Sequence, residues 1–247
     1  MINLSKYAGL PIFLEKNNKL GSKAIKLPKP DTRTFSQIKS VLLAKKTAVR
    51  KFYFMYRNIA PNNSLKKYGL RYDITVIPHH EIGHEEIKTT GHYHAFVRKT
   101  HITYPEAYQV IHGTATYLLQ KKKGSKISDV IVAKAMPGEI VVVPPNYGHI
   151  TINAGKKTLV MANIVYSKFK SKYRAIEEKH GGAYYLVEKN KKLLFIKNPN
   201  YKSVPKIKYG NPSLVGLKSP IYADCKKNPE KYLFLVKPQN YLKKFKS

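Results

Sequence analysis

Three stretches decide how this chain is read: Gly91-His92-Tyr93-His94, then Glu106-Ala107-Tyr108, then Pro144-Pro145-Asn146-Tyr147-Gly148-His149. On an extended strand, residues two apart point to the same face. His92 and His94 can therefore present both imidazoles to one ion, and Glu106 and Tyr108 share a face of their own strand. His149 arrives much later, opening another strand just after a Pro-Pro-Asn turn. Most His-x-His pairs bind nothing, so the weight falls on the spacing around them. Imidazole and carboxylate donors of this kind suit a divalent ion. Fe²⁺, Mn²⁺, Ni²⁺, Co²⁺ or Zn²⁺, one per chain, would suit these donors alike. His79, His80, His84, His101, His112 and His180 have no comparable pattern.

Around these stretches the chain reads as many short strands. Arg71–Ile77 alternates Tyr72, Ile74 and Val76 with Asp73 and Thr75. Ala107–Ile111 and Thr114–Leu119 flank His112-Gly113, which reads as a hairpin turn. Asp129–Ala135, Glu139–Val143, His149–Ile152 and Thr158–Tyr166 follow, separated by Gly, Pro and Asn. A further hairpin is expected from Ala183–Val187 and Leu193–Lys197, turning at Lys189-Asn190. Even spacing without alternating helices predicts an all-β sandwich or barrel. Upstream, residues 1–30 read as irregular and basic. Asp31 is placed to cap a helix carrying Phe35, Ile38, Val41 and Leu42 on one face as far as about Lys45. A short helix is expected after Asn228-Pro229. The expected organisation is an N-terminal arm with a helix (1–50), a central barrel (51–200) and a basic C-terminal extension (201–247).

The chain has 247 residues, 43% of them hydrophobic, enough for a sizeable core. Tyr 19 and Phe 9 suit β structure. One cysteine, Cys225, excludes an internal disulfide and fits a reducing compartment. No apolar run approaches a bilayer span, and the first residues lack a secretory pattern, so a cytoplasmic protein without membrane partners is expected. The formal charge of +32 invites a nucleic-acid reading. Because the basic residues are spread along the chain with no nucleic-acid motif, solvated lysines are the expected explanation and nucleic acid is not an expected partner.

The two metal stretches resemble the paired motifs of the cupin superfamily. The first has His-x-His, then Glu, six residues and Gly, met by Glu106 and Gly113. The second has Gly, five residues, Pro-x-Gly, two residues, His, three residues and Asn. Gly138, Pro144, His149 and Asn153 meet it, with Asn146 in place of the glycine. Asn tolerates left-handed backbone better than most residues. The gap from His94 to Glu106 is longer than usual, implying an inserted loop, Phe96 to Pro105. The fold the resemblance implies is an all-β cupin jelly roll.

A narrower resemblance is to the cupin-type glucose-6-phosphate isomerases of archaea and some bacteria. It is carried by Thr89-Thr90-Gly91-His92-Tyr93-His94, Glu106-Ala107-Tyr108, Tyr117-Leu118-Leu119-Gln120 and Val143-Pro144-Pro145 with His149. Arg71 to Pro78, Met161-Ala162-Asn163 and Ile176-Glu177-Glu178-Lys179 extend it over roughly residues 50 to 200. It implies a metal-dependent aldose–ketose isomerase interconverting glucose 6-phosphate and fructose 6-phosphate in glycolysis and gluconeogenesis, and a homodimer. It implies metal ligation by His92, His94, Glu106 and His149, with Glu106 also the proton carrier. Thr75, Thr89, the Gly91 backbone and Tyr108 would meet the substrate phosphate, and Tyr53 and Tyr166 would line the sugar pocket as catalytic tyrosines. A family histidine shortly after Tyr166 is missing here. Other readings are a cupin isomerase for another sugar phosphate such as mannose 6-phosphate, a cupin oxygenase using the same donors, and a non-enzymatic sugar- or RNA-binding protein.

Overall fold

The computed structural model describes residues 1–44, 46–214 and 216–245. The chain opens with β1 (Ile2–Asn3), α1 (Ser5–Ala8), β2 (Phe13–Leu14), β3 (Leu20–Gly21), β4 (Asp31–Thr34), α2 (Phe35–Ile38) and a 3₁₀ turn at Lys39–Val41. Then come β5 (Lys51–Tyr56), α3 (Asn63–Lys67), β6 (Leu70–Ile77), β7 (Glu81–Ile82) and β8 (Glu85–Glu86). The central strands are β9 (Glu106–His112), β10 (Ala115–Lys123), β11 (Lys126–Ala135), β12 (Ile140–Val143), β13 (Tyr147–Ile152) and β14 (Leu159–Tyr166). After α4 (Arg174–Glu177) follow β15 (Tyr184–Lys189), β16 (Lys192–Lys197), β17 (Lys208–Tyr209) and α5 (Ile221–Lys227), then 3₁₀ segments Pro229–Leu235 and Pro238–Phe245.

A six-stranded sheet in the order β12-β9-β14-β6-β5-β4 faces a four-stranded one in the order β13-β10-β11-β17. This is the cupin jelly roll, built as two facing sheets. The alternation of side chains sorts the central strands of the larger sheet, β9, β12 and β14, between two faces. Met55, Tyr108, Val110, Val141 and Met161 point between the sheets, where they meet Tyr117, Leu119 and Ala133. Phe54, Tyr72, Ile74, Val76, Ala107, Val160 and Ile164 point the other way. That outer face is not left to water. Leu4, Ala8 and Ile12 from the N-terminal segment and Ile221, Tyr222, Tyr232 and Phe234 from the C-terminal segment cover it. Tyr72 donates to the Ala8 carbonyl at 2.9 Å, and Gln109 donates to the Tyr7 carbonyl at 3.0 Å while accepting from the Ile221 amide at 2.7 Å. A sheet buried on both faces reads as near-continuous apolar sequence.

Several local expectations are corrected. His112-Gly113 is a corner between sheets: β9 pairs with β12 and β14, whereas β10 pairs with β11 and β13. A reversal signal marks where the chain turns but not which strand it then meets. Asp31 lies in β4, paired with Met55, and the helix cap is Thr34, which forms a capping box with Gln37. That helix ends at Ile38 and gives way to the 3₁₀ turn, and the expected end near Lys45 lies outside the described residues. The first thirty residues hold a small three-stranded sheet and one helical turn. The β15–β16 hairpin turns at Asn190-Lys191, both with positive φ (52° and 60°), the backbone of a two-residue type I′ turn. After Asn228-Pro229 the helix is 3₁₀, with Pro at its first turn.

The packing makes two predictions. Tyr72→Phe leaves the buried Ala8 carbonyl without its donor and should lower unfolding free energy by about 1–2 kcal/mol in a denaturant titration. Glu86 lies buried on β8; burial, with the nearby Glu81 and Glu188 charges, pushes its carboxyl up to about 7. The folded state therefore holds that proton more tightly than the unfolded chain. Its contribution favours the native state below about pH 4.5 and is lost as pH rises towards 7. Glu86→Gln should flatten the stability profile across that window and gain stability over the wild type above it, read as thermal midpoints at several pH values.

Candidate metal centre

The four expected ligands come together. His149 opens inward from β13 and pairs across to Leu119 of β10. Glu106 begins β9 in the facing sheet. His92 and His94 lie on an extended segment that is not a regular strand, held by isolated bridges from His92 to His149 and from Tyr93 to Lys172. The donor atoms of His92, His94, Glu106 and His149 all lie within 4.8 Å of one another. His92 Nε2 and His94 Nε2 are 3.2 Å apart; Glu106 Oε2 is 3.2 Å from His94 Nε2 and 3.3 Å from His149 Nε2.

The long loop before Glu106 does not displace it. Val97 N donates to Ile102 O at 2.8 Å, closing the loop on itself. Asn146, in left-handed backbone with φ 71°, accepts from Thr103 N at 2.9 Å and donates its own amide to Thr103 Oγ1 at 2.6 Å. A glycine would supply the conformation but not the side-chain bond. His94 Nδ1 lies 2.7 Å from the Tyr104 carbonyl, which places a proton on Nδ1 and leaves the Nε2 lone pair facing the cluster.

Electrostatics favours a cation here. Burial, then the neighbouring His149 and His94, hold His92 well below the usual histidine range, and burial likewise lowers His149. Burial would keep Glu106 neutral, but contacts with His149 and His94 outweigh it and hold the carboxyl well below the usual range. Neutral imidazoles around an ionised carboxylate are the protonation state a metal needs. Glu106 Oε2 is buried with no hydrogen-bond partner among the described residues. The donor set fits a divalent ion.

The remaining expected residues line the same cavity, with different partners. Tyr108 OH lies 3.1 Å from His149 Nε2, against the metal cluster. Thr89 Oγ1 accepts from Thr151 N at 3.0 Å, and Thr75 is buried on the cavity wall. Gly91 has φ 76°, and a Cβ there would meet Ile150 Cγ1 at 2.3 Å, so only glycine lets the segment lie this close to β13. Tyr53 OH is 3.1 Å from Thr90 Oγ1, and the Tyr166 ring packs 4.9 Å from Tyr104 at the rim. Sequence reading missed Arg57, Arg71, Asn163, Phe169 and Tyr173, all on the wall. Phe169 packs against His94, with ring centres 4.5 Å apart, and Tyr173 against His92 at 5.2 Å. Arg71 and Asn163 stand in stretches that carry the family resemblance, and Arg71 shares the polar parity of Asp73 on β6.

Comparison with known proteins decides the family. The family model described as glucose-6-phosphate isomerase matches residues 32–203. The chain belongs to the glucose-6-phosphate isomerase family. A glucose-6-phosphate isomerase from Thermococcus litoralis is 30% identical over 148 residues, 60% of this chain and 73% of that one. That of Thermococcus kodakarensis is 27% identical over 197 residues, 78% of this chain and 96% of that one. Among solved structures, a cupin 2 conserved barrel domain protein from Rhodopseudomonas palustris is 19% identical, covering 51% of this chain and 70% of that one, with a TM-score of 0.32. Among the described residues no helix is long and apolar enough to cross a membrane.

Because His149 completes the cluster from a sheet that supplies no other ligand, His149→Ala should lose most of the bound metal. Elemental analysis of the purified variant checks this, with His101→Ala, in the inserted loop, expected to keep wild-type metal content.

Proposed function

We propose that the enzyme interconverts glucose 6-phosphate and fructose 6-phosphate with a divalent ion held by His92, His94, Glu106 and His149, Fe²⁺ being the expected occupant. The observation that supports this most directly is the convergence of three imidazoles and one ionised carboxylate in the cavity of a chain of this family. When bound, the ion would act as a Lewis acid on the oxygens at C1 and C2.

The residues supply the rest. The reaction moves one hydrogen from C2 to C1 and a second from O2 to O1, so it is redox-neutral and needs no nucleotide. Glu106, ionised and buried, can take the C2 proton and return it to C1. A direct shift of hydrogen from C2 to C1 is the alternative route, and solvent exchange of a C2 deuterium label separates the two. Thr75, Thr89, the Gly91 amide and Tyr108 would receive the phosphate, since hydroxyls and a side-chain-free amide suit its oxygens. Tyr53 and Tyr166 would contact the sugar. Tyr104 and Phe169, with ring centres 5.0 Å apart and planes within 1° of parallel, wall the cavity beside His94 and would limit water there. A homodimer, a cytoplasmic location and a place in glycolysis and gluconeogenesis belong to this reading.

The deciding test is anaerobic. Purified protein is incubated with fructose 6-phosphate, and glucose 6-phosphate is assayed before chelation, after chelation and after restoring single divalent ions. Conversion without O₂ or reductant, lost on chelation and restored in different degrees by several ions, is expected. A strict need for O₂ would replace the isomerase with an oxygenase. Turnover of mannose 6-phosphate alone would leave the site and change the substrate. No turnover of either sugar by metal-loaded protein would sink the reading.

A further inference from the structure

Asp73 is wholly buried, and its carboxylate is saturated: it accepts from the Asn58 amide at 2.8 Å, Arg57 Nη1 at 3.0 Å and Arg71 Nε at 2.9 Å. One acid therefore converges two guanidinium groups, whose side chains remain 38% and 31% exposed. Both line the cavity that contains the metal cluster. Apart from a contact of Arg57 Nη2 with Met55 Sδ at 3.0 Å, the terminal N–H groups beyond Asp73 meet no acceptor inside that cavity among the described residues.

Register and bonding place these donors one step from Glu106. Ala107 pairs with Ile164, so Glu106 falls level with Val165, whose other neighbour is Arg71. One step deeper, Tyr108, Asn163 and Asp73 form a row across three strands. Asn163 Nδ2, in the middle of that row, is buried without a hydrogen-bond partner among the described residues. Thr75 lies a further step in, so both guanidinium groups, bonded to Asp73, sit in the row of Tyr108, one step from Glu106. Arg57 and the Asn58 amide tie the chain after β5 to β6, whereas Arg71 and Asp73 lie on the same strand, so their bond joins no two segments and orients a guanidinium in the cavity.

We propose that Arg57 and Arg71 contact the oxygens at C1 and C2 and stabilise the negative charge that develops there, with Asp73 as the positioning residue. The proposal rests on the isomerase reading above. Guanidinium forks present several donors in fixed geometry to paired oxygens. Donors fixed before the reaction stabilise charge that appears only in the transition state. The charge balance agrees: two guanidinium groups offset Asp73 and Glu106, so a bound divalent ion leaves the cavity with two positive charges to meet a phosphate ester and a developing enediolate.

The test uses metal-loaded full-length protein and two ligands that cannot isomerise. One is a five-carbon aldonate phosphate, whose carboxylate carries charge where the enediolate would; the other is the matching pentitol phosphate, neutral there. Calorimetry should show that the wild type prefers the aldonate. R57Q and R71Q should each lose about 10-fold of that preference, with kcat down about 10- to 100-fold. Pentitol phosphate affinity and KM should stay within about threefold. R57K, which keeps the charge without the fork, should recover part of the loss, and D73N should resemble the arginine variants. Retained preference and kcat in both arginine variants, with only thermal stability lowered, would assign the cluster to structure and overturn the proposal. So would a loss of pentitol phosphate affinity with the preference unchanged, or a wild type without the preference. Failure of the isomerase reading shows separately, as absence of fructose 6-phosphate turnover by the wild type, because the preference is an equilibrium quantity.

Discussion

The centre depends on one short backbone pairing. His92 N donates to His149 O at 3.2 Å and His149 N donates to His92 O at 3.0 Å. Because His92 and His94 lie outside any regular strand, this exchange fixes the irregular segment against β13 and aims its imidazoles at Glu106. Gly91 permits the approach, since any side chain there would collide with Ile150. Thr89 adds a second tie, its amide donating to Thr151 O at 2.8 Å while its hydroxyl accepts from Thr151 N. Ligands from both sheets and the segment between them thus converge without a rigid element beneath each one.

A cavity this polar would be costly in the middle of a sandwich unless its groups were paired or reserved for a ligand. Asp73 satisfies that condition with three donors, and the metal cluster would satisfy it through an ion. The apolar burial that holds the sheets together lies elsewhere. It lies deeper between them, around Val110, Ala115, Tyr117 and Ala133, and on the far side of the six-stranded sheet, where the terminal segments pack. The N- and C-terminal segments therefore do more than extend the jelly roll. By covering the outer face, they free part of the inner face of β6 and β14 to carry Arg71, Asp73, Thr75 and Asn163.

The basic composition acts at two ranges. Lysines spread over the surface of a chain with formal charge +32 raise the local concentration of anionic ligands, an effect that salt weakens. Inside the cavity the argument is local and geometric. There the charge is carried by two arginines whose fork suits paired oxygens, not by the lysines that dominate the composition.

The sequence by itself determined which four side chains are candidate metal ligands, the fold class and the family. Residues two apart on extended backbone share a face wherever the strand lies, and motif spacing survives an inserted loop as long as the loop closes on itself, as Phe96 to Pro105 does. The left-handed turn at Asn146 was legible for the same reason, being a property of one residue's backbone. Tertiary structure alone decided which strand each turn leads to, so His112-Gly113 became a corner between sheets. It also decided which face of β6 is the inside. The alternation of Tyr72, Ile74 and Val76 with Asp73 and Thr75 is visible in the chain. A strand at a water interface would turn its apolar residues to the core, whereas here they meet the terminal segments and the polar ones line the cavity. Local sequence carries the period of a strand but not what covers each side of it. For that reason the convergence of Arg57 and Arg71 on Asp73 became visible only once the sheets were assembled.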